Sequence, residues 1–189
     1  MSVSHRDIIS SYASQLASII SSLPSERIAE LTDIIEQAHK NGRFIFLFGN
    51  GGSAAAASHL AVDLAKGIEC QPRMKALSLT DNVPQITAWA NDTAYGNIFA
   101  EQLRNFIGPG DVAIGISASG NSENVLRAVE LANSVGAITI GLTGYEGGKL
   151  KSLAKHCLIV ASNNMQQIED AHLVICHQIF TALRSRLSA

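Results

Sequence analysis

The chain has 189 residues, of which 47% are hydrophobic and 16% charged, with a formal net charge of −2. That is ample apolar material for one core of ordinary size, and it leaves no basic footprint of the kind that nucleic acid requires. No apolar run approaches the ~20 residues of a membrane span and no basic-then-apolar leader opens the chain, so the expectation is a cytoplasmic protein whose Cys70, Cys157 and Cys176 stay reduced, the last two in the core.

Ile8, Ile9, Tyr12, Leu16, Ile19 and Ile20 recur at helical spacing and predict an amphipathic helix over about 5–21. Pro24 stands where a first helical position would be, Glu26 follows in the first turn, and Ile28, Leu31, Ile34, Ile35 and Ala38 mark a second helix that closes near Asn41-Gly42. Neither helix carries Gly-rich chemistry. Their reading is packing or contacts between subunits, which the low charged fraction also favours.

Phe44 to Phe48 is a continuous apolar run that predicts a buried strand. It enters the turn Gly49-Asn50-Gly51-Gly52-Ser53, whose three glycines in four positions let backbone N–H groups approach a ligand. Ser53 is placed to cap the Ala-rich helix that follows. Strand, Gly-rich turn and helix start together suit an anion, most often a phosphate. The turn lacks the Gly-Lys-Ser/Thr ending of a P-loop and the GxGxxG spacing of a dinucleotide site. His59 and Asp63, four apart on that helix, share one face and can hold a metal or move a proton.

Ala76 to Leu79 reads as a strand, Thr80-Asp81-Asn82 as a turn and cap, and Ile86, Thr87 and Trp89 as a helix broken at Asn91-Asp92. Ile98 to Phe106 is helical up to the turn Gly108-Pro109-Gly110-Asp111. Val112 to Ile116 is a third strand, followed by the loop Ser117-Ala118-Ser119-Gly120-Asn121-Ser122 and a helix to about Val135. Its hydroxyls are good donors to phosphate oxygens, although Ser and Asn also favour a plain cap. Ala137 to Leu142 and Cys157 to Val160 complete five strands, with a short helix after Gly147-Gly148 between them and a long helix over about Gln166–Leu187.

Strands that are continuous apolar runs, alternating with helices, predict an α/β fold: a doubly wound parallel five-stranded sheet flanked by helices in three layers. Both Gly/Ser turns then lie at the carboxyl edge, where such sheets bind ligands. The last helix adds Glu169, Asp170, His172 and His177. Glu169 and His177 are ~12 Å apart along one straight helix and ~80° around it. Both can serve one site only if the helix starts after Glu169 or a neighbouring subunit supplies one of them.

GNGGS with His59 and Asp63, AND at Ala90 to Asp92, GISASGNS at Gly115 to Ser122, GLTGYEGGKL at Gly141 to Leu150, and Glu169 with His177, in that order, resemble the phosphoheptose isomerase family of sugar isomerase (SIS) domains. The resemblance implies a single SIS domain over 1–189, with 1–42 as a helical pair for packing and assembly and 43–189 as the sugar-phosphate core. It implies a homotetramer with sites between subunits, conversion of D-sedoheptulose 7-phosphate to D-glycero-D-manno-heptose 7-phosphate through an enediol, zinc at one ion per subunit, and no nucleotide cofactor, nucleic acid or membrane partner. By motif match Asn50, Gly51, Gly52, Ser53, Asn91, Asp92, Ser117, Ala118, Ser119, Ser122 and Glu169 lie at the substrate, and His59, Asp63, Glu169 and His177 fall on metal and acid/base positions. Asp63 is the expected base with Glu169 its rival, and His177 the expected acid. The chain departs from the family at three of these: the family usually has Glu at 63, Gln at 169 and often Thr at 118. These swaps keep a second class of function in view, a non-catalytic SIS regulator or scaffold such as one that associates with a replication initiator, and with it an isomerase for another sugar phosphate.

Overall fold

The computed structural model describes residues 3–188; Met1, Ser2 and Ala189 lie outside the described residues. Two helices lead the chain. α1 (His5–Ser21) is capped by Ser4, whose Oγ accepts from the Asp7 N–H at 3.2 Å, and it buries none of its residues. α2 (Ser25–Lys40) buries Ile28, Leu31, Ile35 and Ala38 on one stripe. Pro24 is the residue before its first turn rather than the first helical position, because its extended backbone (ψ 94°) lies outside the helix.

The sheet is built from β1 (Phe44–Gly49), β2 (Lys75–Ser78), β3 (Val112–Ile116), β4 (Ile138–Thr143) and β5 (His156–Ile159), all parallel, in the order β2-β1-β3-β4-β5. Between them run α3 (Gly52–Val62), α4 (Val83–Asp92), α5 (Ile98–Arg104), α6 (Glu123–Ser134), α7 (Leu150–Leu153) and, after β5, α8 (Met165–Leu187). The predicted doubly wound parallel sheet is therefore observed. The period of two along β1 explains the layers: Ile45 and Leu47 face the core shared with α2, α3 and α8, while Phe46 and Phe48 face the core shared with α5 and α6.

Several boundaries differ from the sequence reading. α4 runs through Asn91 and Asp92 and ends at Thr93, whose Oγ1 donates to the Trp89 carbonyl at 2.6 Å. A 3₁₀ turn at Tyr95–Asn97 precedes α5, which stops at Arg104. The helix carrying His59 continues past Val62 as a π-helical turn, Asp63–Gly67. Among the cysteines, all free, Cys176 is buried as expected, but Cys70 is buried too and Cys157 only half-buried, because β5 is an edge strand. No helix among the described residues is long and apolar enough to cross a membrane.

His172, on α8, is fully buried and anchors that helix to the sheet: its Nε2–H donates to the Thr143 carbonyl at 3.0 Å. Burial pushes its imidazole down to about 4, against the pull of that carbonyl. The unfolded chain therefore binds the extra proton first. Stability from a neutral His172 is complete above about pH 6.5 and is lost as pH falls toward 4, on the order of 3 kcal/mol in all. His172→Gln keeps a donor for Thr143 and removes the titration, so urea unfolding at pH 7.5 and pH 4.5 is expected to show a smaller acid loss in the variant than in the wild type.

Candidate active site

From β1 the chain crosses to β2 on one side, and β3 lies on the other, so the loops after β1 and β3 face each other at the point where the winding reverses. The two strands end close together. A Cβ at Gly49 would stand 2.7 Å from the Ile116 carbonyl oxygen. Gly51 turns the chain at φ 54° and leads into α3 with no side-chain cap. Ser53, expected as that cap, instead sits inside the first turn, 5% exposed, as part of the cleft wall. The reason is local: Gly51 takes the capping position, so Ser53 falls two residues inside the helix.

The second loop is held from behind. Gly120 has φ 65°, and a Cβ there would fall 2.0 Å from the Gly147 carbonyl oxygen of the β4–α7 loop. Asn121 accepts from the Lys149 N–H at 3.1 Å and donates to the Ser119 carbonyl at 3.0 Å. Ser122 occupies the capping position of α6 without using its hydroxyl as a cap; its Oγ lies 3.0 Å from Ser117 Oγ. An ordinary cap would turn that oxygen to the helix N–H groups. Here two hydroxyls are paired toward the cleft.

Asn50, Ser53, Ser117, Ala118, Ser119 and Ser122 line a cleft of about 180 Å³ whose remaining wall includes Met165 and Glu169. Its polar groups are four hydroxyls, the Asn50 amide and, at the far wall, the Glu169 carboxylate, and with α3 and α6 starting at its edge the hydroxyl-lined end is a donor-rich setting for an anion. A second cleft, of about 230 Å³, is lined by Gly52, Ala55, Ala56, His59, Glu169, Asp170 and Leu173. Glu169 is the wall that both share. It lies over the start of α3: a Cβ on Gly52 would be 2.3 Å from the Glu169 carboxyl carbon.

Further along α3, His59, Asp63 and His177 come together, with one ligand atom from each within 4.8 Å of the others. His59 Nε2 is 2.9 Å from His177 Nε2 and 3.4 Å from Asp63 Oδ2. Two imidazole nitrogens and a carboxylate oxygen are an ordinary zinc donor set. Two ring nitrogens at 2.9 Å share one proton as a hydrogen bond; with both protons moved to the outer nitrogens, the same two lone pairs point at one spot. The residues thus fit a divalent metal with a further position left open. Asp63 also faces inward: burial first, and the Asp63 charge second, push the Cys176 thiol up to about 12.

Glu169 does not join that cluster. α8 begins at Met165, so Glu169 and His177 are on one unbroken helix and ~12 Å apart along it. Asn91 and Asp92 are exposed on α4, where Asn91 Nδ2 donates to Asp92 Oδ1 at 2.8 Å, and they line neither cleft within the chain. Three neighbours escaped the sequence reading. Asn124 and Tyr95 both bond to Asn50, and Tyr12 of α1 donates to Asp170 Oδ2 at 2.5 Å, a bond that holds its hydroxyl up at about 12. Asn124 and Tyr95 are 74 and 45 residues from Asn50, and no local spacing links them.

A family model described as "SIS domain" matches residues 11–144. A phosphoheptose isomerase of Aquifex aeolicus is 42% identical over 156 residues, 82% of this chain and 82% of the relative. The chain belongs to the phosphoheptose isomerase family of SIS domains. Solved structures of the family carry the same fold over the whole length. The phosphoheptose isomerase of Francisella tularensis superposes with a TM-score of 0.90 at 31% identity, covering 97% of this chain and 100% of the other. The phosphoheptose isomerase GmhA of Neisseria gonorrhoeae also gives 0.90, at 28% identity and 96% and 100% coverage.

The close approach at Gly120 has a direct test. Gly120→Ala adds both left-handed strain and an overlap with backbone, which cannot swing away. Together these are expected to destabilise by about 2–4 kcal/mol, read as a lower urea midpoint at unchanged m-value.

Proposed function

We propose that the protein interconverts a ketose phosphate and an aldose phosphate, D-sedoheptulose 7-phosphate and D-glycero-D-manno-heptose 7-phosphate. The observation that carries this is the pair of clefts sharing Glu169, which join the hydroxyl-lined cradle to the His59–Asp63–His177 cluster. From Ser53 to His59 is six residues of helix, ~9 Å along α3. In an extended heptose 7-phosphate, C2 lies on the order of 8–9 Å from phosphorus by bond lengths alone. A phosphate among Ser53, Ser117, Ser119 and Ser122 sets C1 and C2 beside the cluster. The phosphate is remote from the reacting carbons and serves to position them.

The reaction needs a base for the C1 proton of the ketose and an acid that serves O1 and O2. Asp63, at the cluster end, is the proposed base: it takes the proton from C1 and returns it to C2. Glu169, between the two clefts, is the rival for that role and otherwise meets the sugar hydroxyls in mid-chain. His177 exchanges the proton between O2 and O1 as the enediol forms and collapses. Asp63 is a methylene shorter than the family's Glu, about 1.5 Å of reach; its Oδ2 lies 3.4 Å from His59 Nε2, a proximity that supports a second duty, orienting that ring. His59, Asp63 and His177 would hold zinc, one ion per subunit, which when bound would stabilise negative charge on the enediolate oxygens.

The active form is proposed to be a homotetramer with its sites at subunit interfaces. Support comes from α1, which buries nothing and exposes Ile8 and Ile9, and from the exposed side of α8 around Val174, Thr181 and Ala182. A partner there would cover His177, which lines the same surface. Such a neighbour is also what would bring Asn91 and Asp92 to a site.

One experiment addresses these roles. The wild type is expected to turn over sedoheptulose 7-phosphate as a tetramer holding about one zinc per subunit. His177→Ala should keep the tetramer, weaken zinc binding at least ~10-fold, and lower kcat by roughly 10²–10⁴-fold. Saturable binding of a heptose phosphate with no turnover of any heptose, hexose or pentose phosphate would overturn the isomerase in favour of a sugar-phosphate sensor.

A further inference from the structure

Asn50 is the one amide side chain in the wall of the hydroxyl-lined cleft, and its orientation is decided elsewhere. Asn124, on the first turn of α6, is 2% exposed. The Val125 backbone N–H donates to Asn124 Oδ1 at 2.9 Å, and a backbone N–H can only donate, so that end of the amide must be oxygen. Asn124 Nδ2 then faces Asn50 and donates to its Oδ1 at 2.9 Å, while Asn50 Nδ2 donates back to Asn124 Oδ1 at 2.9 Å. The Tyr95 hydroxyl, from the 3₁₀ turn before α5, donates to Asn50 Oδ1 at 2.9 Å as well. An amide oxygen has two lone pairs, and both on Asn50 are taken. Only one N–H of its Nδ2 is left unused.

We infer that Asn124 and Tyr95 are positioning residues that lock the Asn50 amide so that it offers the cleft an N–H donor and no acceptor, which favours the acceptor oxygens of a phosphate monoester over a group that must donate a hydrogen bond. This deepens the reading of that cleft as the phosphate end of the substrate site and rests on it. Were Asn50 free to flip, half of its orientations would set an oxygen against the phosphate oxygens. The flip would break both hydrogen bonds to the buried Asn124 and turn the Tyr95 hydroxyl from donor to acceptor, so the flipped form is not populated. The specificity of the cleft is thus set by a buried residue that does not line it.

The test is binding of inorganic phosphate, followed by calorimetry, to the wild type, Asn124→Asp and Tyr95→Phe. Asp at 124 has the same shape but two acceptors, and no orientation of Asn50 satisfies both. Loss of one hydrogen bond to a charged ligand is expected to weaken phosphate binding roughly tenfold in Asn124→Asp. Tyr95 is 57% exposed, so Tyr95→Phe is expected to fold as the wild type does and to weaken phosphate roughly threefold by freeing one lone pair of Asn50. In turnover, KM for the sugar phosphate should rise by the same factors with kcat little changed, a split that general loosening of the fold does not give. Phosphate binding as tight as the wild type in Tyr95→Phe, and in Asn124→Asp at an unaltered melting temperature, overturns the inference and leaves the cleft reading standing. Should Asn124→Asp not fold, Tyr95→Phe decides alone. A wild type that takes up no phosphate at millimolar concentration removes the cleft reading and this inference with it.

Discussion

Everything at the proposed site depends on how closely three backbones run at the carboxyl edge of the sheet. β1 ends against β3 so tightly that Gly49 admits no Cβ beside the Ile116 carbonyl, and the loop after β3 meets the loop after β4 with Gly120 against Gly147 and Gly148 against Ser119. Side chains at these points would wedge the strand ends apart. With glycine there, Asn50, Ser53, Ser117 and Ser122 come from two different loops into one small cleft. These short side-chain donors are therefore held in place by closely packed main chain rather than carried on long flexible stems, which is the condition for binding an anion without Lys or Arg in either loop.

Much of this was legible in the sequence because it is local. Continuous apolar runs such as Phe44–Phe48 and Val112–Ile116, short and bounded by turn residues, read as buried strands, and their alternation with helices points to the parallel sheet. The two Gly/Ser loops announce themselves by composition. The separation of Glu169 from His177 follows from helix geometry alone, and the structure keeps both on α8. Less legible were features decided by register. Ser53 looked like a cap until Gly51 proved to hold that position, and Cys157 looked internal until β5 proved to be an edge strand. Asn124 and Tyr95 were beyond reach: an Asn on the first turn of α6 and an exposed Tyr in a connecting turn have no meaning until the fold sets them beside Asn50.

Asp63 and Glu169 are not interchangeable carboxylates that have traded lengths. Asp63 is tied to His59 and lies close enough to Cys176 for its charge to act on the thiol, whereas Glu169 borders two clefts and rests on the start of α3, where only a glycine leaves room for it. A shorter side chain at 63 draws the carboxylate toward its own helix and its histidine. The carboxylate at 169 stands where the two clefts meet.

α1 gives the fold almost nothing of its own: it buries no residue and touches the body chiefly along α8. Its two polar ties are Tyr12 to Asp170 and Gln15 to Gln167, and these land on either side of Glu169. Whatever presses on α1 from outside and whatever binds beside Glu169 therefore act on the same turn of the same helix. Any free energy exchanged between them is reciprocal: an assembly that steadies α1 would steady the Glu169 wall by as much as a ligand at that wall would strengthen the assembly.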